Sequence, residues 1–191
     1  MPLVAKNQNG ERVCSLDFKS ANEIRSLYPK KSLSCPFCES LMFPREQRGS
    51  IVHFYHYRQC TSQIQHHPES REHFAGKQLL ADVLRKETEG LNVEILVEYP
   101  IPKAGLHGRI ADVAAIFPTG YVLIYECQLA AITIENLEQR TLDYFEEGCD
   151  VVWFFGKSAD VRINHEWAKS RLYCSHKLIF SYESKQETIK L

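Results

Sequence analysis

The pattern of apolar and polar positions changes near residue 68 of the chain. Residues 3 to 18 alternate on either side of the turn sequence Asn7-Gln8-Asn9-Gly10, which predicts a β-hairpin. Residues 29 to 68 show no sustained apolar periodicity and are dense in Cys, His, Pro and Arg. We expect such a segment to have little core of its own, so that it is held by a staple such as a metal ion, packs on a partner surface, or is disordered.

The chain after residue 68 is regular. The predicted elements are a helix at 69–86, strands at 93–101, 109–117 and 121–129, a helix at 134–147 and a strand at 151–155, with a short helix at 166–172 and a strand at 178–182. The order α-β-β-β-α-β predicts an α/β fold. We expect a segment over residues 1–67, a core over residues 68–157, and an extension over residues 158–191 that packs on the core.

Composition narrows the class of protein. The chain has 191 residues, of which 44% are hydrophobic, enough to bury a core. No apolar stretch is long enough to span a bilayer and the first residues lack a signal-peptide pattern, so we expect a cytoplasmic protein without a membrane partner. In that reducing compartment the seven cysteines are expected to be thiols or metal ligands. The net charge of -1 excludes a basic surface over the whole protein, so any nucleic-acid site must be local.

Two predicted strands bring two carboxylates together. If residues 118 to 120 form the connecting loop, Phe117 pairs with Tyr121, and the same register places Asp112 opposite Glu126. Directly opposed residues have β-carbons about 5 Å apart on one face of a sheet. Like charges there would repel each other and lose hydration, so we expect a hard divalent cation, Mg²⁺ or Mn²⁺, to compensate them.

Neighbouring residues add to this candidate metal site. Period-two alternation places Gln128 on the face of the second acid, and the carbonyl of Cys127 is a candidate ligand. Helical spacing places Glu72 on the stripe that packs against the sheet, with His73 and Lys77 as an i, i+4 pair on its flank. The alternative for Glu72 alone is an acid that serves the helix dipole.

A second candidate metal site lies in the irregular segment. Cys35-Pro-Phe-Cys38 is followed after fourteen residues by His53-Phe-Tyr-His56, which matches the ligand types and rough separation of a structural zinc site. In an extended strand His53 and His56 would point to opposite faces, so both can bind one ion only at a turn or a helix start. The alternatives for one of the four ligands are Cys60, His66 and His67.

These motifs together resemble the CoiA-like competence protein family. The resemblance runs over residues 30 to 156 and is carried by CPFC, HFYH, ESREHFAGKQLL, GRIADV, YECQ and VVWFF in that order. It implies a restriction-endonuclease-like core with a mixed sheet, of the PD-(D/E)xK nuclease type, behind a zinc-binding segment. It also implies an association with DNA uptake and recombination.

The resemblance assigns roles residue by residue. It implies Asp112 and Glu126 as metal ligands, Glu72 as the helix acid of the core, and Gln128 at the position where many such nucleases have lysine. Because that lysine is missing, the resemblance leaves the group that activates the attacking water open. His73 and Lys77 are candidates for orienting water or substrate phosphate, with packing beside the site as the alternative.

Arg140 and Tyr144 lie one helical turn apart on the helix at 134–147. They are candidates for facing the active site or the substrate phosphate backbone. The alternative is a surface arginine beside an aromatic core residue.

We therefore predict a nuclease that depends on Mg²⁺ or Mn²⁺ and hydrolyses DNA phosphodiesters, with a structural zinc ion. Its process would be DNA uptake, recombination, mobile-element processing or defence. The alternative is a zinc-dependent nucleic-acid-binding adaptor whose nuclease-like core is inactive. An RNA substrate stays open, because no base-reading motif is evident.

Overall fold

The computed structural model describes residues 2–46, 51–61, 69–171, 173–183 and 186–190. It divides the chain into two compact units, Met1–Phe74 and Ala75–Leu191. The division thus falls seven residues later than the predicted one at residue 67, and residues 62–68 lie outside the described part.

The first unit opens with the predicted hairpin of β1 (Val4–Lys6) and β2 (Arg12–Cys14), which pair antiparallel. The side-chain oxygen of Asn7 accepts the N–H groups of Asn9 and Glu11, both at 2.9 Å. An asparagine that bonds to the backbone beyond it is a common way to close a turn.

A short helix, α1 (Ala21–Leu27), follows the hairpin and was not predicted. The hydroxyl of Ser20 accepts the N–H of Glu23 at 3.2 Å, and the Glu23 carboxylate accepts the N–H of Lys19 at 2.7 Å. These two bonds cap the first turn from both sides, which explains why so short a helix begins here.

The Cys- and His-rich segment forms three further strands, β3 (Leu33–Ser34), β4 (Leu41–Arg45) and β5 (His53–His56). They extend the hairpin into an antiparallel sheet of order β2-β1-β3-β4-β5. Contrary to expectation, this segment contributes to a core, because its apolar residues alternate over strands too short to show a period. The buried residues of this core include Ala5, Val13, Ile24, Leu33, Met42 and Phe54.

Helix α2 (Arg71–Glu87) crosses the division and leads into the second unit. The remaining elements are β6 (Glu94–Ile101), β7 (Arg109–Ile116), β8 (Val122–Gln128), α3 (Ile134–Glu146), β9 (Cys149–Gly156), α4 (Arg162–Ser170), β10 (Cys174–Glu183) and β11 (Gln186–Lys190). They build a sheet of order β11-β10-β9-β8-β7-β6, in which β9 pairs parallel with β8 and β10 and the other neighbours are antiparallel. The predicted α/β class, element order and mixed sheet are confirmed.

Helix α3 packs against this sheet through one buried stripe. Thr133 caps its N-terminus with a hydroxyl that accepts the N–H of Asn136 at 3.3 Å, and Gly148 follows the helix in the left-handed region at φ 73°. The core of the second unit includes Ile124, Leu137, Tyr144, Val151, Trp153 and Phe155. Fully burying an apolar side chain of this size contributes about 1.5–3 kcal/mol.

The last predicted elements are longer than expected. The helix predicted at 166–172 is α4, which begins four residues earlier, and the strand predicted at 178–182 is β10. Residues of the predicted extension are therefore strands of the same sheet as the core. Within the described ranges, no helix combines the length and apolarity that crossing a membrane requires.

Candidate active site and candidate zinc site

The hairpin of β7 and β8 has the predicted register. Val113 faces Tyr125, and the pairing continues from there to the turn at residues 118–120. The described pairing ends at Val113, and the next residues on the two strands are Asp112 and Glu126. The two predicted carboxylates thus follow directly on the paired part of the hairpin.

The sheet is interrupted beside Asp112. Strands β6 and β7 pair at Val97 and again at Tyr99, but no pair is made at Glu98, the residue that would face Asp112. Glu98 has φ 54°, a left-handed conformation that costs a non-glycine residue roughly 1–2 kcal/mol. Such conformations cluster at functional sites. The sequence prediction missed Glu98, and its one signal was an acid at the centre of the apolar segment EILVEYPI.

A buried lysine joins two of the acids. Lys77 on α2 is 1% exposed, and its ammonium nitrogen lies 3.2 Å from Glu98 Oε1 and 3.6 Å from Asp112 Oδ1. The other carboxylate oxygen of Asp112 accepts the N–H of Cys127 at 2.8 Å. Because an unpaired buried charge is costly, these contacts explain how the charged side chains are tolerated in the sheet. Lys77, predicted on the flank of α2, therefore contacts a predicted metal ligand.

Glu126 is held by two residues of α3. Arg140 Nη2 donates to one carboxylate oxygen at 2.5 Å, and the hydroxyl of Tyr144 donates to the other. Glu126 and Tyr144 are each 1% exposed, whereas the side chain of Arg140 is 25% exposed and lies over the ring of Trp153. The two predicted substrate-contacting residues thus fix the orientation of the second acid, and contact with substrate stays a prediction for both.

The pKa values of Tyr144 and Arg140 follow from their surroundings. Burial raises the pKa of Tyr144 well above its ordinary value, and Glu126 raises it further. Burial lowers the pKa of Arg140, but Glu126, Tyr144 and Asp112 together outweigh this and hold that pKa above its usual range. Asp112 raises the pKa of both groups, so the two acids act on one environment. Tyr144 is therefore a neutral donor and Arg140 a permanent cation.

Gln128 lies on the same face as Glu126, as predicted. Its side-chain oxygen accepts from Arg140 Nη1 at 2.9 Å, and its nitrogen donates to the carbonyl of Ala130 at 2.7 Å. Gln128 is thus part of the support of Arg140. The role of the Cys127 carbonyl as a metal ligand stays a prediction.

The acidic and basic side chains that contact one another around Asp112 and Glu126 do not balance in charge. Lys77 and Arg140 supply two positive charges, and Glu98, Asp112 and Glu126 supply three negative ones, so the five groups sum to -1 when all are ionised. Among the residues described, no group of three or more His, Cys, Asp or Glu ligand atoms within 4.8 Å of one another includes Glu126. Asp112 and Glu126 are instead each paired with a different cation.

Glu72 and His73 lie in the first turn of α2, within the first unit. His73 Nδ1 is 3.4 Å from the carboxylate of Glu69, one turn earlier. A catalytic role for Glu72 and His73 stays a prediction.

Four residues of the first unit form a candidate zinc site. Cys35, Cys38, His56 and Cys60 offer ligand atoms that all lie within 4.8 Å of one another. Zn–S bonds of about 2.3 Å in a tetrahedron place ligand atoms roughly 4 Å apart, so the donor types and the spacing both fit zinc. The remaining alternatives, His66 and His67, lie outside the described residues.

The thiols of this cluster differ in acidity. Burial raises the pKa of Cys35 to about 12. Burial also raises the pKa of Cys38, but hydrogen bonds involving Ser40 and Cys60 outweigh it and lower the pKa to about 6. Because the thiolate is the ligand form, Cys38 is ready to bind a metal without a further loss of protons.

His53, one of the four predicted zinc ligands, lies apart from the other three. Its ring is buried, its Nδ1 lies 3.0 Å from the carbonyl oxygen of Ile51, and it stacks on Phe74 with centroids 6.0 Å apart. Residues three apart on a strand point to opposite faces, so β5 directs His56 to the cysteines and His53 away from them. The structure therefore groups Cys60, and not His53, with the other three.

The comparison with known families concerns residues 69–191, which include the whole second unit. A family model described as "Competence protein CoiA, nuclease-like domain" matches residues 69–191, more than half of the chain. The chain belongs to this family. The predicted CoiA-like resemblance is thereby confirmed, together with the nuclease-like character of the core. The candidate zinc site precedes the residues that the CoiA family model matches.

Two solved structures are weakly similar to this CoiA-family chain. SfsA of Pyrococcus furiosus, in complex with Ca²⁺, has 12% identity and a TM-score of 0.42 over 80% of this chain and 75% of its own. A repair endonuclease from Pyrococcus abyssi has 17% identity and a TM-score of 0.38 over 72% of this chain and 61% of its own. No curated protein matches the sequence.

Proposed function

We propose that the chain is a divalent-metal-dependent nuclease that hydrolyses DNA phosphodiester bonds at Asp112 and Glu126. The observation that carries this proposal is the cluster of buried charges at the interruption of the sheet. A fold that only needed stability would gain little from three buried carboxylates and a lysine, because removing such charges from water costs several kcal/mol each. Functional chemistry gives a reason to keep them.

The residues fit a hard divalent cation. Asp112 and Glu126 provide carboxylate oxygens, which Mg²⁺ and Mn²⁺ prefer, and the cluster sums to one negative charge. We propose that these two acids hold the ion, with the carbonyl of Cys127 as a further ligand. A bound ion of this kind polarises a phosphoryl oxygen and lowers the pKa of a bound water.

The other residues act on the acids or on the substrate. Lys77 supplies the positive charge that the motif lysine gives other nucleases of this type, since Gln128 at that position carries none. From its place against Asp112 it would stabilise the charge that develops on the phosphate. Arg140 and Tyr144 orient Glu126, and the exposed part of Arg140 is available to a phosphate oxygen.

We further propose that Cys35, Cys38, His56 and Cys60 hold a structural zinc ion. Four protein ligands leave no open position for water, so such a site stabilises the fold and takes no part in hydrolysis. DNA uptake or recombination is the process that the family description favours.

A second candidate function is a zinc-dependent nucleic-acid-binding adaptor with an inactive core. It is favoured by the state of Glu126, whose two carboxylate oxygens both accept hydrogen bonds from α3. An ion at this site would have to share or displace these donors. The missing motif lysine points the same way.

A cleavage panel separates the two candidates. Purified protein is incubated with single-stranded, duplex and branched DNA, and with RNA, with and without Mg²⁺ or Mn²⁺. We expect metal-dependent cleavage of at least one DNA, reduced at least roughly 100-fold in Asp112→Ala and in Glu126→Ala, because the ion supplies several kcal/mol. Asp143→Asn changes another buried acid of α3, paired with Arg109, and should keep activity.

Full activity of both acid variants, in a preparation free of contaminating nuclease, rejects the proposed active site. Binding without cleavage of any substrate favours the adaptor. Cleavage of RNA alone corrects the substrate and retains the site.

A further inference from the structure

One face of the sheet in the first unit carries aromatic side chains that are partly exposed. In the antiparallel pair of β4 and β5, Met42 and Phe54 lie on the buried face. The alternate positions point to the opposite face and carry Phe43, Arg45, Tyr55 and Tyr57, which we call the aromatic face; His53, on the same side of the sheet, is buried against Phe74 at one end of it. Tyr57 continues the pairing beyond β5, because its N–H donates to the carbonyl of Leu41 at 3.1 Å.

The side chains of the aromatic face contact one another. The ring of Phe43 lies between two tyrosines, with centroids 5.6 Å from Tyr55 and 4.8 Å from Tyr57. The guanidinium of Arg45 lies 5.4 Å from the centroid of Tyr55. Both tyrosines stay accessible, at 42% and 43% exposure. The strand pairing therefore arranges three rings and one planar cation as a continuous surface.

The charge around this face favours an anionic partner. Residues 29 to 61 contain five basic and two acidic residues, an excess of 5 − 2 = +3, whereas the whole chain has a net charge of -1. A zinc ion bound by three thiolates and a neutral histidine would reduce this excess by one. Positive charge is thus concentrated in the segment that carries the aromatic face, which is the local distribution that a nearly neutral nucleic-acid-binding protein needs.

We propose that the aromatic face binds single-stranded nucleic acid by stacking unpaired bases on its rings. Base-stacking rings beside cations are the common chemistry of single-strand binding, and every base offers a face for stacking once it is unpaired. A duplex hides those faces, so it gains only the phosphate contacts. The proposal deepens the proposed function by naming single strands as the substrate class, and DNA as the nucleic acid rests on that function. The same face would serve an adaptor.

The test measures binding without cleavage. Full-length protein is titrated into labelled oligothymidylate, the matching duplex and an RNA single strand, and anisotropy is recorded without added Mg²⁺ or Mn²⁺ and without chelator, so that zinc stays bound. We expect the single strand to bind at least about 10-fold more tightly than the duplex. Replacing Tyr55 by Ala should raise the Kd for the single strand roughly 5- to 100-fold, since each stacked base contributes about 1–3 kcal/mol.

Matched variants separate stacking from other causes. Tyr55→Phe keeps the ring and should bind within about 3-fold of the unchanged protein, whereas Tyr55→Leu keeps apolar surface and should bind like the alanine variant. Tyr121→Ala removes a similarly exposed tyrosine, 40% accessible and also beside a phenylalanine, from the second unit and should have no effect. Zinc content and circular dichroism establish that each variant is folded.

A crosslinking experiment on the unchanged protein needs no variant. Oligothymidylate carrying 4-thiothymine is irradiated in the complex, and we expect crosslinked peptides from residues 41–46 or 51–58. Crosslinks confined to other peptides, equal binding by Tyr55→Ala, or equal affinity for the duplex overturn the proposal. Tyr55→Leu binding as well as Tyr55→Phe replaces stacking by an apolar docking surface for a protein. Failure of cleavage alone leaves this proposal standing and rejects only the nuclease.

Discussion

Replacing Lys77 by methionine removes the only charge of this side chain and keeps most of its length. The nitrogen of Lys77 lies 3.2 Å from Glu98 and 3.6 Å from Asp112, and all three side chains are buried. Removing one partner of a buried ion pair costs about 3–5 kcal/mol, because the other charge stays in the protein without compensation. Two carboxylates lose a cation here, so we expect the upper part of that range.

The loss of stability can be measured for the second unit separately from the first unit in the intact chain. Both tryptophans of the chain, Trp153 and Trp167, lie in the second unit, so their fluorescence follows its unfolding separately from the first unit. In a protein of this size each kcal/mol shifts Tm by about 2–4 °C, so a loss of about 4–5 kcal/mol corresponds to a decrease of roughly 8–20 °C. Mg²⁺ should restore more stability to Lys77→Met than to the unchanged protein, because it can replace the missing charge.

The control is Arg109→Met. Arg109 also pairs with a buried acid, Asp143, but its side chain is 28% exposed, so we expect a smaller loss of stability. Cleavage should be unchanged in Arg109→Met and lost in Lys77→Met. A stability loss below about 1 kcal/mol, or full cleavage by folded Lys77→Met, would refute the role given to this lysine.

Three further predictions concern other parts of the chain. Cys60→Ala should lower zinc content from about one ion per chain, measured by mass spectrometry of the metal, whereas His53→Ala should leave it unchanged; the reverse result would restore the predicted ligand set. The pKa of Asp160 is lowered mainly by a hydrogen bond from Lys177 and further by one from His165. The Asp160 carboxylate therefore contributes its full stabilisation above the unfolded pKa of about 4, and this contribution is lost as pH falls through the lower folded pKa. Asp160→Asn should therefore flatten the decline in Tm below pH 4, and an unchanged decline contradicts this assignment. Gly108→Ala should destabilise the second unit by about 2 kcal/mol or more, because its φ is 77° and an added β-carbon would lie 2.9 Å from a backbone carbonyl oxygen. Gly148→Ala, at φ 73° with nothing within 4 Å, should have only the smaller conformational effect, and equal losses would show that the carbonyl contact does not matter.

The sequence was most informative where one local rule fixed the geometry. The three-residue loop after Phe117 set the register of the hairpin, and the observed pairing of Val113 with Tyr125 follows from it. Period-two alternation likewise placed Gln128 on the face of Glu126, where both contact Arg140. These relations depend on neighbours in the chain, so pattern alone can recover them.

Contacts between elements that are far apart in the chain could not be predicted from the local sequence pattern. The left-handed conformation of Glu98 depends on how β6 meets β7 and on a lysine from α2, and the segment around it predicts only an ordinary strand. Strand alternation predicted that His53 and His56 point to opposite faces, but it could not decide which of them faces the cysteines. That choice is made by the pairing of β5 with β4, because it buries Met42 and Phe54 beside His56.

The most direct test of the central claim is the binding of Mn²⁺ to zinc-loaded protein, followed by electron paramagnetic resonance of the free ion. We predict at least one bound Mn²⁺ per chain in the unchanged protein and in Asp143→Asn, and its loss in both Asp112→Ala and Glu126→Ala with zinc content constant. Mn²⁺ binding that is absent from the unchanged protein, or equally strong in the Asp112→Ala and Glu126→Ala variants, would contradict a metal-dependent active site at these two acids.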